Sequence, residues 1–152
     1  MKSKVKIELT TLINAPIEKV FDLSRSIDLH MESTKQTGEK AIAGKTSGLI
    51  GLGETVTWRA KHFGMWQTLT SKITEFDRPN LFVDEMVSGA FKSLRHEHRF
   101  ISSGDQTIVK DIFEFESPWG TLGKIFNKLI LTRYMTKHLK VRNEIIKMVA
   151  ER

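Results

Sequence analysis

The chain has 152 residues, of which 39% are hydrophobic and 28% charged, and this is the composition of one globular domain of ordinary size. It contains no cysteine, which excludes disulfide bonds, thiolate catalysis and cysteine-ligated metals. The net charge of +6 would suit binding to nucleic acid or to the surface of an anionic membrane. No apolar run is long enough to span a bilayer.

The first predicted element is a strand, because apolar and polar side chains alternate over residues 4–13. This alternation is unlike the continuous apolar segment of a signal peptide, so cytoplasmic residence is the simplest expectation. Asn14-Ala15-Pro16 predicts the start of a short helix, and a second short helical segment is expected over residues 26–35.

Six further strands are predicted between residues 38 and 116, where turn signals separate runs with strand-like patterns. From residue 119 to about residue 150 a 3.6-residue apolar period predicts one long amphipathic helix. The element order predicts a single α+β domain over residues 1–152, a seven-stranded curved antiparallel sheet around the C-terminal helix. A helix packed across a curved sheet encloses a cavity unless bulky side chains fill the space.

Strand parity predicts that several polar side chains face this cavity. Asp111 shares its face with apolar Val109 and Phe113, so it is expected to point inward. His96 and His98 share a face with Leu94 in the same way. The predicted ligand-binding residues are Trp58, His62, Phe82, Asp84, Met86, His96, His98, Asp111 and Phe113.

The His/Asp group has several interpretations. A buried carboxylate needs a partner, so Asp84 and Asp111 are expected to pair with histidines, and the pairs could simply tie the strands together. They could also anchor the polar end of a ligand. His96, His98 and Asp111 are the candidates for acid–base catalysis. Two histidines at positions i and i+2 with a facing aspartate could ligate zinc or iron, but this spacing alone is weak evidence, so no metal and no cofactor are expected.

Three apolar side chains in the loop of residues 48–53, Leu49, Ile50 and Leu52, predict a lid over the cavity mouth. His30 is expected to be a solvent-exposed helix residue. Trp66 and Trp119 are interpreted as core or rim residues.

Positive charge concentrates in the C-terminal helix, and its spread around the helix favours a solvated basic face over a nucleic-acid site. We therefore expect no nucleic-acid partner. We also expect no integral membrane association, and a monomer or homodimer. The basic residues concerned are Lys124, Lys128, Arg133, Lys137, Lys140, Arg142 and Lys147.

Two groups of residues resemble a known family. The segment Asn14-Ala15-Pro16-Ile17-Glu18-Lys19-Val20-Phe21-Asp22-Leu23 resembles the strand-to-helix signature of the START-like (SRPBCC, Bet v 1-type) helix-grip superfamily. A second set resembles its bacterial polyketide cyclase/dehydrase-like ligand-binding subgroup: Asp84, Gly89-Ala90-Phe91, His96-Glu97-His98-Arg99-Phe100, Thr107, Asp111 and Pro118-Trp119-Gly120. The resemblance implies a helix-grip fold with an apolar cavity. It implies no reaction, because this fold hosts enzymes, carriers and hormone sensors.

The function expected from these observations is binding or transport of a small hydrophobic or amphipathic molecule, since no nucleophile motif is present. One alternative is a cyclase, dehydratase or isomerase that uses His96, His98 and Asp111 for proton transfer. The other is peripheral binding of anionic membranes or nucleic acid through the basic helix.

Overall fold

The computed structural model describes residues 4–117 and 127–152. The strands are β1 (Lys4–Ile13), β2 (Lys40–Gly44), β3 (Thr55–His62), β4 (Met65–Asp77), β5 (Leu81–Gly89), β6 (Ser93–Ser103) and β7 (Gln106–Glu116). The helices are α1 (Ile17–Ser24), α2 (Ile27–Ser33) and α3 (Thr132–Ala150), with a 3₁₀ turn at Lys35–Thr37 and a π-helical turn at Asn127–Leu131.

The strands form one antiparallel sheet in the order β1-β7-β6-β5-β4-β3-β2. From β2 to β7, each strand pairs with the next strand in the sequence, and β1 pairs with β7. This confirms the predicted α+β helix-grip fold, with two short helices after the first strand. The predicted C-terminal helix is regular from Thr132, and its expected first part, with Trp119, lies outside the described residues.

The two short helices begin as their sequences predict. Pro16 precedes α1 with an extended backbone, and its fixed φ suits the first helical turn. Ser26 caps α2, because its hydroxyl accepts a hydrogen bond from the backbone N–H of Leu29. Both helices contact α3, so they close one end of the domain.

The hydrophobic core consists of two clusters of buried side chains. The first centres on Phe21, whose ring packs edge-on against Phe76, Phe82 and Phe100 at centroid distances of 5.1–5.4 Å. Ile146 of α3 belongs to this cluster. The second joins the sheet to the middle of α3 and includes Ile7, Leu94, Phe113, Phe115, Leu131 and Leu139.

The inner face of the sheet follows the predicted parity. Along β6 the buried side chains include Leu94, His96, His98 and Phe100, while Arg95 and Arg99 lie on the outer face and pair with Glu97. Within the part of the chain that the structure describes, no helix is both long and apolar enough to cross a membrane.

Candidate functional site

A cavity of about 530 Å³ lies between the inner face of the sheet and the helices. This volume falls within the range of small-molecule sites in proteins. Its wall is mostly apolar and draws on both core clusters, with aromatic rings prominent among the lining residues. The aromatic lining residues are Trp58, Phe63, Phe82, Phe91, Phe113 and Tyr134.

Most of the residues predicted to bind a ligand line this cavity, namely Trp58, His62, Phe82, Asp84, His96, His98 and Phe113. Two do not. Met86 is partly buried and packs against the second core cluster. Asp111 has no exposed surface and lies behind the histidines.

The predicted lid residues separate. Ile50 is buried in the first core cluster and lines the cavity, so its side chain is part of the wall. Leu49 and Leu52 are 40% and 62% exposed and do not line the cavity, so one of the three expected lid residues contributes to its wall. An isolated antiparallel bridge pairs the backbone of Leu49 with that of Ser26 and connects this loop to the start of α2.

One polar group in the wall, which we call the Asp111 cluster, consists of Asp84, His96, His98, Asp111 and Asn143. His96 donates from Nε2 to Oδ1 of Asp111 at 2.8 Å, and the amide of Asn143 donates to Oδ2 of Asp111 at 2.7 Å. His98 donates from Nε2 to Oδ2 of Asp84 at 2.8 Å. The two imidazole rings stack with their centroids 3.7 Å apart. Each aspartate therefore has a histidine partner, as the burial argument predicts.

Both aspartates of this cluster are held in their ionised form. Burial alone would raise the pKa of Asp111, but the hydrogen bond from His96 and the electrostatic effects of His96 and Arg142 more than offset it, so the pKa lies below its usual range. The pKa of Asp84 is lowered in the same way, because burial is outweighed by the hydrogen bond from His98 and its charged surroundings.

His98 is held in its neutral form. Burial is the main reason that its pKa falls from 6.5 to about 4, and neighbouring His96 adds to the effect. A neutral imidazole has a single N–H. Since Nε2–H is used by Asp84, Nδ1 has only a lone pair, and this buried atom has no hydrogen-bond partner within residues 4–117 and 127–152.

A second polar group, the Glu39 cluster, consists of His30, Glu39, His62, Tyr134 and His138. The Nε2 of His30 is 2.9 Å from Oε1 of Glu39, and Nε2 of His138 is 3.9 Å from Oε2. His62 forms a hydrogen bond through Nδ1 with the hydroxyl of Tyr134. All five side chains line the cavity.

The Glu39 cluster combines an ionised carboxylate with two histidines, His62 and His138, whose pKa values are lowered. Burial would raise the pKa of Glu39, but the charge and hydrogen bond of His30, followed by His138 and His62, lower it. Burial lowers the pKa of His138 to about 4 and also lowers that of His62, with Glu39 opposing both shifts. Burial and Glu39 raise the pKa of Tyr134, so its hydroxyl stays protonated.

Two sequence interpretations need correction here. His30 was expected at the solvent surface, but its ring lies 4.3 Å from that of Trp58 and lines the cavity, because α2 packs over the open end of the sheet. Arg142 was assigned to a solvated basic face. It is buried, lines the cavity and donates from Nη2 to the backbone oxygen of Ser24 at 2.9 Å.

Sequence reasoning missed the contributions of Glu39, Tyr134, His138, Arg142 and Asn143. The contributions from α3 could have been predicted from the helical period of its buried positions. Leu131, Leu139 and Ile146 are buried apolar positions, and Tyr134, His138, Arg142 and Asn143 lie at helical spacing between them. Glu39 precedes β2 in a connecting segment and had no such signal.

The comparisons with known proteins agree on the fold. The family model described as polyketide cyclase/dehydrase and lipid transport matches residues 4–151. The structure is similar to Zhui aromatase/cyclase from a Streptomyces species, with a TM-score of 0.77, 15% identity, and coverage of 98% of this chain and 94% of that one. It is also similar to a START superfamily protein from Mycobacterium smegmatis, with a TM-score of 0.72, 13% identity, and coverage of 95% and 98%.

A further similar structure is that of ginseng major latex-like protein 151 from Panax ginseng, with a TM-score of 0.71, 15% identity, and coverage of 98% and 99%. At identities this low, structural likeness establishes the fold alone. No curated protein sequence matches the chain. Because the family model spans nearly the whole chain, from β1 to the end of α3, the resemblance seen in the sequence is confirmed. The chain belongs to the polyketide cyclase/dehydrase and lipid transport family.

Proposed function

We propose that this protein binds a small amphipathic molecule in the cavity, as a carrier or sensor. The observation that supports this most strongly is the combination of a cavity of about 530 Å³ with a mostly apolar, aromatic wall and two separate polar clusters. A purely structural core would be filled by side chains to near-crystalline density. The family description, which includes lipid transport, is consistent with this proposal.

The wall chemistry favours a ligand with ring systems and hydroxyl groups. Flat aromatic lining residues such as Trp58 and Phe113 suit ring faces and edges. The ionised carboxylates of Asp84 and Glu39 and the neutral imidazole of His138 offer hydrogen-bond acceptors, which match hydroxyl donors.

A second candidate function is proton-transfer catalysis of the cyclase, dehydratase or isomerase type. The observation in its favour is the His96–Asp111 pair at 2.8 Å, in which an ionised carboxylate orients an imidazole that lines the cavity. Asp111 accepts from Nε2 of His96, and Nδ1 of His96 makes no hydrogen bond within the described ranges. That nitrogen is therefore available to accept a proton from a bound molecule.

The basic face of α3 gives little support to the third candidate, peripheral binding of membranes or nucleic acid. Arg142 is buried, and Lys147 is tied to the backbone oxygen of Leu12 and to Glu151. Arg133, Lys137 and Lys140 are exposed, but they are spread along the helix without a neighbouring aromatic platform among the described residues.

Titration with anilinonaphthalene sulfonate, an amphipathic fluorescent probe, tests the proposed binding. We expect saturable fluorescence enhancement with about one site per chain. The informative variant is Ala60→Trp, because Ala60 is buried, faces the cavity and lies on the rigid strand β3. The added indole should fill part of the cavity and weaken probe binding by at least about tenfold.

Ala43→Trp is the matched control, since Ala43 is exposed on the neighbouring strand β2 and does not line the cavity. It should bind the probe like the unaltered protein. Equal binding by both variants would place the probe outside the cavity and contradict the proposal. Near-ultraviolet circular dichroism of each variant confirms that its side-chain packing is intact.

The catalytic alternative has its own test once a ligand has been extracted from the protein and identified. His96→Gln keeps a hydrogen-bond donor for Asp111 but removes the basic nitrogen. If the protein catalyses proton transfer, turnover of that ligand should fall by about 100-fold or more while binding persists. Unchanged turnover would exclude His96 as the base.

A further inference from the structure

Three side chains of the Asp111 cluster are arranged like the protein ligands of a metal ion. Asp84, His96 and His98 each offer one ligand atom, and these atoms lie within 4.8 Å of one another. Metal–ligand bonds of about 2.0–2.2 Å place ligand atoms roughly 3–4 Å apart, so modest side-chain rotations bring the three onto one ion. Two imidazoles and one carboxylate form a donor set that zinc and divalent iron accept.

The three side chains are positioned by neighbouring strands of the sheet. His96 and His98 stand two residues apart on β6 and therefore point to the same side of the sheet. Asp84 lies on β5 directly opposite His96 in the strand pairing. A site built on paired strands is held more precisely than one on loops.

Asp111 supplies what metal-binding histidines ordinarily need behind them. A histidine ligand usually donates its other ring N–H to a carboxylate, which fixes its tautomer and orientation. Asp111 is fully buried and lies at 2.8 Å from Nε2 of His96 and 3.5 Å from Nδ1 of His98, both measured to Oδ1. Its second oxygen is held by Asn143. One carboxylate thus faces both rings.

The lone pair on Nδ1 of His98 is the observation that a metal ion would explain. With the proton on Nε2, this buried atom faces Asp111, an acceptor, and has no partner among the described residues. If the proton instead resides on Nδ1, it can donate to Asp111, and Nε2 becomes a free ligand next to Asp84. This change of tautomer moves one proton between the ring nitrogens and leaves the total charge of the ring unchanged.

The composition of the site also suits a cation. The carboxylate of Asp84 is one of the three ligands, and that of Asp111 lies directly behind the two histidines. Carboxylates and imidazoles are both common ligands of divalent transition ions. Because the three candidate ligands line the cavity, further coordination positions would be open to water or to a bound molecule.

We propose that Asp84, His96 and His98 bind a divalent first-row transition ion, with Asp111 as the hydrogen-bond partner that orients both histidines. The proposal does not depend on which organic molecule the cavity takes. It goes beyond the sequence expectation of no metal.

Calorimetric titration with Zn²⁺ near neutral pH, after dialysis against a chelator, tests it. We expect about one Zn²⁺ per chain. His98→Gln and Asp84→Asn should each weaken binding by at least about 100-fold, and Asp111→Asn by about 10–100-fold, because it leaves the ligands in place but alters their orientation.

The matched controls are His30→Gln and His138→Gln. These variants change histidines of the Glu39 cluster, which line the same cavity outside the proposed site. Both should bind Zn²⁺ like the unaltered protein. Binding that survives His98→Gln and Asp84→Asn, or that is lost in His30→Gln, would overturn the proposal, as would no binding by the unaltered protein.

A measurement on the unaltered protein keeps the proposal testable if a variant does not fold. X-ray absorption of the Zn²⁺-loaded protein should show nitrogen and oxygen neighbours with the scattering pattern of two imidazoles. A spectrum with no imidazole, or with only one, would contradict the assigned ligand set.

Discussion

Asp111 is the residue on which the polar wall of the cavity depends. It has no exposed surface, yet its pKa is held below the usual range, so the protein accommodates a buried negative charge. That charge accepts hydrogen bonds from His96 and Asn143, which come from β6 and α3. The carboxylate therefore ties the sheet to the helix at the point where the cavity wall is polar.

Removal of this carboxylate should destabilise the fold. Asp111→Ala leaves the N–H of His96 without an acceptor and removes one of the two acceptors of the Asn143 amide, so the free energy of unfolding should fall by about 3–5 kcal/mol. Urea denaturation measures this change. Asp105→Ala, in the exposed turn between β6 and β7, is the control and should cost less than about 0.5 kcal/mol. Equal effects of the two would refute the structural role of Asp111.

The buried histidines predict how stability depends on pH. His98 and His138 have pKa values lowered from 6.5 to about 4, so they stay neutral in the folded protein while the unfolded chain takes up protons. The free energy of unfolding should therefore fall as pH decreases from about 6.5 to about 4, by about 1.4 kcal/mol per pH unit for each histidine. His62 adds to the same trend, because its pKa is also lowered.

Urea denaturation at several pH values in this window measures the slope. His138→Gln should reduce the slope by about 1.4 kcal/mol per pH unit, because one titrating group is removed. The lowered pKa values of Asp84, Asp111 and Glu39 act in a separate range, since their stabilisation is lost only below about pH 4. A stability that is flat between about pH 6.5 and pH 4.5 would contradict the neutral state of the histidines.

Individual residues could be predicted only where a strand imposes alternation. Parity put His96, His98 and Asp111 on the inner face because their apolar neighbours had to be buried. It also put Met86 on the inner face, where this side chain packs against the second core cluster without lining the cavity, because parity gives a direction and not a distance from the cavity. The inward direction of the Glu39 side chain could not be predicted, because a connecting segment has no periodicity from which a direction can be derived.

At the scale of elements, the edge strand β2 depends on a single glycine. Gly44 has a φ of +72°, and a Cβ there would lie 2.3 Å from the backbone oxygen of Thr55 on β3. Glycine is therefore required both for its backbone conformation and for the close approach of the two strands. The strand pairing shifts register just before it, between Ala41 and Ala43.

Gly44→Ala should destabilise the protein more than the matched change Gly104→Ala. Both positions have positive φ, so each substitution costs about 1–2 kcal/mol, but a Cβ at Gly104 would meet nothing within 4 Å. The clash with Thr55 should add at least about 1 kcal/mol at Gly44. Thermal unfolding of the two variants measures the difference, and equal melting temperatures would show that the strands separate at no cost.

The helix α3 shows why its polar residues were misjudged from sequence. Its buried positions follow the apolar stripe, but Arg142 and Asn143 occupy that stripe at the points where the helix faces Ser24 and Asp111. The number of basic residues along the helix indicates a basic surface. That Arg142 is buried becomes evident only from its partner on another element, the backbone oxygen of Ser24.

For the whole molecule, the order and pairing of the elements could be predicted from hydrophobic periodicity and turn residues. The reason is that each hairpin is formed by residues that are close in sequence. The contents of the cavity could not be predicted in this way, because volume depends on how α3 and the sheet meet. The Glu39 cluster exists only because α2, α3 and the strand β3 converge at one end of the domain.

Native mass spectrometry of the protein purified from the cells that make it tests the proposed binding function most directly. We expect a species heavier than the chain by the mass of one small molecule, and Ala60→Trp should lose this species because its side chain occupies the cavity. Ala43→Trp should retain it. If the unaltered protein has the mass of the chain alone, or if Ala60→Trp retains the same bound molecule, the cavity is not the binding site that we propose.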